Sequence, residues 1–108
     1  MNNTEARIIL IEIAHLLERD PREYYAILIK NVLSNSNGVV EAFLISNELW
    51  GGSGSIADQS LIGCPDLRKE LESLLIRLGK IQLNAKKTNV RTESWIIAFE
   101  SWRNHGLR

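Results

Sequence analysis

Pro65-Asp66-Leu67-Arg68-Lys69-Glu70-Leu71-Glu72-Ser73-Leu74-Leu75-Ile76-Arg77-Leu78-Gly79-Lys80-Ile81 reads as one long helix. Leu67, Leu71, Leu74, Leu78 and Ile81 recur in alternating steps of four and three, the spacing that keeps a packed seam turned toward a neighbour. Pro65 fits the first helical position, where a missing N–H removes no intrahelical bond. Gly79 costs roughly 1 kcal/mol against alanine inside a helix. It therefore marks either a close approach by another element or an early end. A helix patterned this way needs other helices to cover it.

The rest of the chain supplies them. Upstream, Asn2-Asn3-Thr4-Glu5 offers an N-cap and an acidic first turn for a helix running to Arg19. Its apolar face of Ile9, Ile13, Leu16 and Leu17 is widened by Ile8, Leu10 and Ile11, which predicts burial on more than one side. Asp20-Pro21-Arg22-Glu23 has the pattern of cap, first-position proline and back-bonding glutamate, so a second helix is expected from there through Leu33. Ser34-Asn35-Ser36-Asn37-Gly38 is a turn-rich stop. Val39 to Trp50 places Val39, Ala42, Phe43, Ser46, Leu49 and Trp50 on one face and is read as a third helix, although its β-branched residues allow a strand over Val39–Ser46. A short helix follows from Ile56 to Leu61. Downstream of the long helix, Ala85 to Arg91 is a polar connection. A last helix spans Thr92 to Asn104 with Trp95, Phe99 and Trp102 on one side and Gly106 as its stop. The expected fold is all-α, one domain over residues 1–108: a bundle of four or five helices plus one short helix after a glycine-rich corner.

Composition narrows the function classes. An apolar fraction of 44% is too high for a disordered chain, and zero formal net charge builds in no general attraction to nucleic acid or anionic lipid. Charge is still uneven. No Lys or Arg occurs between Lys30 and Arg68, where Glu41, Glu48 and Asp58 lie, while the C-terminal part is mildly basic. A lone cysteine, Cys64, excludes an internal disulfide and any multi-cysteine zinc motif. The polar, acidic start lacks the order of a secretory signal, and Ile8–Leu17 is broken by Glu12 and His15 and too short to span a bilayer. A cytoplasmic location and no membrane partner are expected.

No catalytic set is legible. His15 is expected to be a partly buried, hydrogen-bonded residue of the first helix, and His105 a cation placed against a helix C-terminus. Glu12 and His15 stand at Glu-x-x-His spacing, but a di-metal bundle needs two such motifs and more carboxylates. Neither a metal nor a cofactor is expected. Lys80, Lys86, Lys87 and Arg91 bracket one connection without interleaved aromatics, so nucleic acid is not the expected partner.

Leu49-Trp50-Gly51-Gly52-Ser53-Gly54-Ser55-Ile56-Ala57-Asp58 is the odd segment. It lacks the Gly-x-x-x-x-Gly-Lys-Ser/Thr of a phosphate loop, and Gly52-Ser53-Gly54 misses the nucleophile-elbow spacing. It resembles the signature Leu-Trp/Phe-Gly-Gly-x-Gly-Ser-x-x-Asp of a family of small uncharacterised bacterial proteins. The resemblance covers about ten residues and implies an α-helical domain in which Trp50, the three glycines, Ser55 and Asp58 form one structural unit. No activity comes with it. Physics supplies the unit's logic: Trp50 buries a ring, Gly51 and Gly52 reverse the chain, with a positive φ the expected reason for Gly52, and Ser55 and Asp58 cap the next helix.

Two function classes compete. One is a non-enzymatic protein-binding module, for instance an immunity protein whose acidic middle faces a basic toxin, with Trp50, Gly51, Gly52, Ser53, Gly54, Ser55 and Asp58 as candidate contacts. A homodimer is compatible with this class. The other is a small-molecule-binding protein or enzyme using the glycine-rich loop 51–55, which would need a pocket with convergent polar groups there.

Overall fold

The computed structural model describes residues 3–106. Seven helical elements follow one another, and no strand occurs among the described residues: α1 (Asn3–Leu17), α2 (Tyr25–Leu33), α3 (Asn37–Leu44), α4 (Asn47–Trp50), α5 (Ile56–Gln59), α6 (Pro65–Ala85) and α7 (Thr92–Asn104). Helix α1 is central, packed against α2 on one side and α6 on the other, and α7 covers α6. The core is built from Leu10, Ile13 and Leu17 of α1, Ile29 of α2, Leu44 of α3, and Leu71, Leu75 and Leu78 of α6, closed by Phe99 of α7. The all-α bundle is the fold expected from the helical periodicities.

Several boundaries differ from the expectation for physical reasons. The first N-cap string begins at Asn2, which lies outside the described residues. Asp20 does not cap a helix: its carboxylate accepts from the Arg22 amide at 3.0 Å, closing a turn, and α2 starts only at Tyr25. Glu23, expected to bond back to that cap, instead reaches across the molecule (below). Val39–Trp50 is helical but broken. The Ser46 hydroxyl donates to the Phe43 carbonyl at 2.6 Å and accepts from the Leu49 amide at 3.3 Å, so one serine ends α3 and caps α4. Asn37 and Gly38, read as turn, open α3.

The seam of α6 is also rotated. Leu71 and Leu78 are fully buried, but Leu67, Leu74 and Ile81 are half-buried, and the inward face continues through Leu75, Gly79 and Gln82. Gly79 marks a close approach. A Cβ there would lie 2.4 Å from the Ile96 Cδ1 and 3.3 Å from the Trp50 Cη2, so the missing side chain lets α7 and Trp50 meet α6. The helix ends at Lys86, which takes a left-handed conformation (φ 58°), with the Lys87 amide donating back to the Gln82 carbonyl at 3.0 Å. Helix α1 is less enclosed than expected: Ile8 and Ile11 are exposed, and so is His15, which was expected to be partly buried.

Candidate functional site

The segment 49–58 forms a corner between α4 and α5, and its inner half is locked. Trp50 is fully buried, and its indole N–H donates to the Leu44 carbonyl at 3.1 Å and to the Gln82 side-chain oxygen at 3.0 Å. The Gln82 amide nitrogen completes the lattice by donating to the Leu44 and Lys87 carbonyls. From α7, the Trp95 indole donates to the Trp50 carbonyl at 2.9 Å. Gly51 has an ordinary negative φ; it is glycine because a Cβ would fall 2.5 Å from the Asn47 carbonyl oxygen. Ser55 is buried, its hydroxyl donating to the Gly51 carbonyl at 2.6 Å and accepting from the Asp58 amide at 3.1 Å.

The outer half differs. Gly54, not Gly52, carries the positive φ (87°), and a Cβ on Gly52 would make only ordinary contact with the Arg91 guanidinium, at 3.8 Å. The Asp58 carboxylate accepts from the Gly54 amide at 3.1 Å, one residue before the cap, so the capping box is shifted outward by one. Ser53 and Gly54 are exposed, and the Gly54 carbonyl accepts the Tyr25 hydroxyl at 2.7 Å.

The structure therefore brings all seven candidate residues into one unit, but it divides them. Trp50, Gly51 and Ser55 face inward; Ser53 and Gly54 face solvent; Gly52 and Asp58 lie between.

Sequence reasoning missed the residues that clamp the corner. Arg68 of α6 is 4% exposed. Its guanidinium forms an ion pair with Glu72 at 2.9 Å and donates to the carbonyls of Ser60 (2.9 Å), Ile56 (3.3 Å) and Ala57 around the end of α5, where the Ile56 carbonyl also accepts the Ser60 amide at 3.2 Å. It also lies 5.6 Å from the Phe99 ring centroid. On the other side, Glu23 accepts from the Leu61 amide at 3.0 Å and faces the Ser60 hydroxyl at 3.4 Å. Leu61 is buried with φ 60°, a conformation that costs a branched residue about 1–2 kcal/mol, and this carboxylate helps to hold it. The one available signal was the four-residue spacing of Arg68 and Glu72, which makes a helical pair but does not say which way it faces.

Around the outer half lies an aromatic and acidic surface. Tyr24 is 63% exposed and packs edge-on to Tyr25, with ring centroids 5.2 Å apart. Burial, then the neighbouring Glu48, Tyr24 and Glu23, raise the Tyr25 phenol above its ordinary value. Glu48 itself is exposed on α4. Four of the most pronounced surface depressions are lined elsewhere: two lie between α1 and α6, one between α6 and Arg103, and one beside Asp20 and Ile62, with none formed by the glycine-rich loop. The hydroxyls of Ser55 and Ser60 are engaged within the corner, and His105 sits at the end of α7 with its ring Nδ1 2.9 Å from the Ser101 carbonyl. No family model, curated protein or solved structure matches the chain.

Proposed function

We propose that this protein is a non-enzymatic protein-binding module whose contact surface is the outer side of the corner: Tyr24, Glu48, Ser53, Gly54 and Asp58. The observation that carries this reading is the exposed Tyr24 ring, packed edge-on to Tyr25, whose own phenol feels the charges of Glu48 and Glu23. A pre-ordered tyrosine offers large contact area at small entropic cost, and such residues dominate the energetics of interfaces. The surrounding carboxylates select a basic partner and steer its approach. An immunity protein bound to a basic toxin is one concrete form of this reading. Arg91 flanks the surface at Gly52 and sets its boundary on that side.

The closed inner half of the corner supports a scaffold role for Trp50, Gly51 and Ser55 rather than direct contact. The test is calorimetric titration of the chain with the protein encoded beside it. Tyr24→Ala is expected to weaken binding by more than about tenfold, the scale of an interface hot spot. Glu48→Lys is expected to weaken it and to flatten its salt dependence. Binding that neither substitution moves would overturn the reading.

A further inference from the structure

A second surface lies on the other flank of the molecule. Helices α1 and α6 run antiparallel, and the two depressions between them share Arg77, so they join into one groove. On the outward face of α1, Thr4, Ile8, Ile11, His15 and the following Glu18 recur in steps of four and three. That is the spacing of a helix–helix seam, yet this one faces solvent. Ile8 and Ile11 are 50% and 43% exposed, and the half-buried Leu74 and Ile81 extend the apolar strip onto α6.

We propose that this face is a self-association surface, on which a second copy of the chain docks about a twofold axis passing near Ile11. Charge decides the occupant and its direction. Several charged residues near the strip already have partners: Arg7 holds the Leu33 and Asn35 carbonyls and Asn37, Glu18 pairs with Lys30, and Lys80 with Glu100. Glu5 and Arg19, at opposite ends of the groove, form no ion pair among the described residues. Reversing a second α1 across the first places Ile11 on Ile11, Ile8 against His15, and each Glu5 beside the other copy's Arg19. A parallel twofold arrangement would instead put the two α6-side flanks on opposite sides of the contact, leaving each Glu5 and each Arg19 without this partner. Near the axis, the exposed Glu12–Arg77 pair of each copy (3.3 Å) meets its counterpart, so that acid and base alternate. Glu70, at the Arg19 end, adds a further carboxylate there.

A twofold contact requires a patch complementary to itself, and this strip has that property. The area is modest. A helix of 15 residues is about 22 Å long, so the contact falls at the small end of specific interfaces and forms a concentration-dependent dimer. The inference does not rest on the partner reading above, which uses a different face.

Sedimentation velocity over about 10 μM to 1 mM, the range for small interfaces, tests it. The mass is expected to rise from 12.3 kDa toward twice that value. Ile11→Glu should hold the chain monomeric. Glu5→Arg and Arg19→Glu should each weaken dimerisation by about tenfold, because each creates two like-charge contacts per dimer. The double variant Glu5→Arg/Arg19→Glu should recover most of the loss. All three sites are exposed, and unchanged thermal unfolding verifies that the variants fold. A monomer throughout the range, a dimer indifferent to these substitutions, or a double variant no better than the singles would each overturn the proposal.

Discussion

The corner at residues 49–61 and the α1/α6 groove both mix apolar and charged side chains, yet they handle charge in opposite ways. In the corner, the Arg68–Glu72 pair is almost wholly removed from water and the guanidinium reaches the carbonyls of residues 56, 57 and 60. In the groove, Arg77 and Glu12 also form an ion pair, but about half of each side chain faces solvent. The difference teaches that an ion pair's meaning comes from its surroundings. A buried pair cannot lose one partner without stranding the other, whereas an exposed pair contributes roughly 0–1 kcal/mol and stays available to a partner.

The largest expected effect breaks the corner side of this contrast. Arg68→Ala should destabilise the fold by about 3–5 kcal/mol in denaturant unfolding, because it takes an ion-pair partner from the buried Glu72. Arg68→Met with Glu72→Leu should recover only part of that loss. The apolar pair removes the buried charge but leaves the Ala57 and Ser60 carbonyls without this donor. Full recovery would mean that those carbonyl contacts contribute nothing.

The next test contrasts the two faces of α6. Leu71→Ala, at a fully buried site, should cost about 2–5 kcal/mol. Leu74→Ala, which empties a half-buried site beside the groove, should cost about 1–2 kcal/mol when measured at low protein concentration. Equal losses would place Leu74 in the core and remove the distinction between seam and groove.

Tyr25 sharpens the boundary between the corner's closed and open halves. Its raised phenol pKa means that its contribution is present below the ordinary tyrosine value and fades as pH rises through the folded value. A phenolate cannot donate to the Gly54 carbonyl. Wild-type stability should therefore fall above about pH 10, beyond what Tyr25→Phe loses over the same range. At neutral pH, Tyr25→Phe should cost about 0.5–1 kcal/mol. Parallel alkaline profiles would show that the hydroxyl does not hold the loop.

The smallest expected effect is that of Asp58→Ala, about 0.5 kcal/mol. It deletes a partly exposed capping contact to Gly54, at the low end of measured cap losses. A thermal melt resolves it. A loss above about 2 kcal/mol would mean that the outer loop is as tightly built as the inner half.

Local chemistry in the sequence determined the helical class, the partner helices α6 and α7, the punctuation at Pro65 and Gly106, and the serine cap at Ser55. Period, cap residues and turn residues act within a few positions, so a single chain displays them. Segment 49–58 could likewise be read as one unit, because glycine, serine and aspartate at those spacings have few other uses. Tertiary structure decided the rest. Glu23 abandoned a local cap for Leu61, thirty-eight residues away, and α2 began later as a result. Ile8 and Ile11 look like core residues, yet they face outward because α2 and α6 occupy the two flanks of α1 and leave its third side bare. Arg68 and Glu72 look like a surface pair, yet they are buried because the short α5 ends against them and needs donors for its carbonyls. In each case, the deciding partner lies too far along the chain for a local pattern to show.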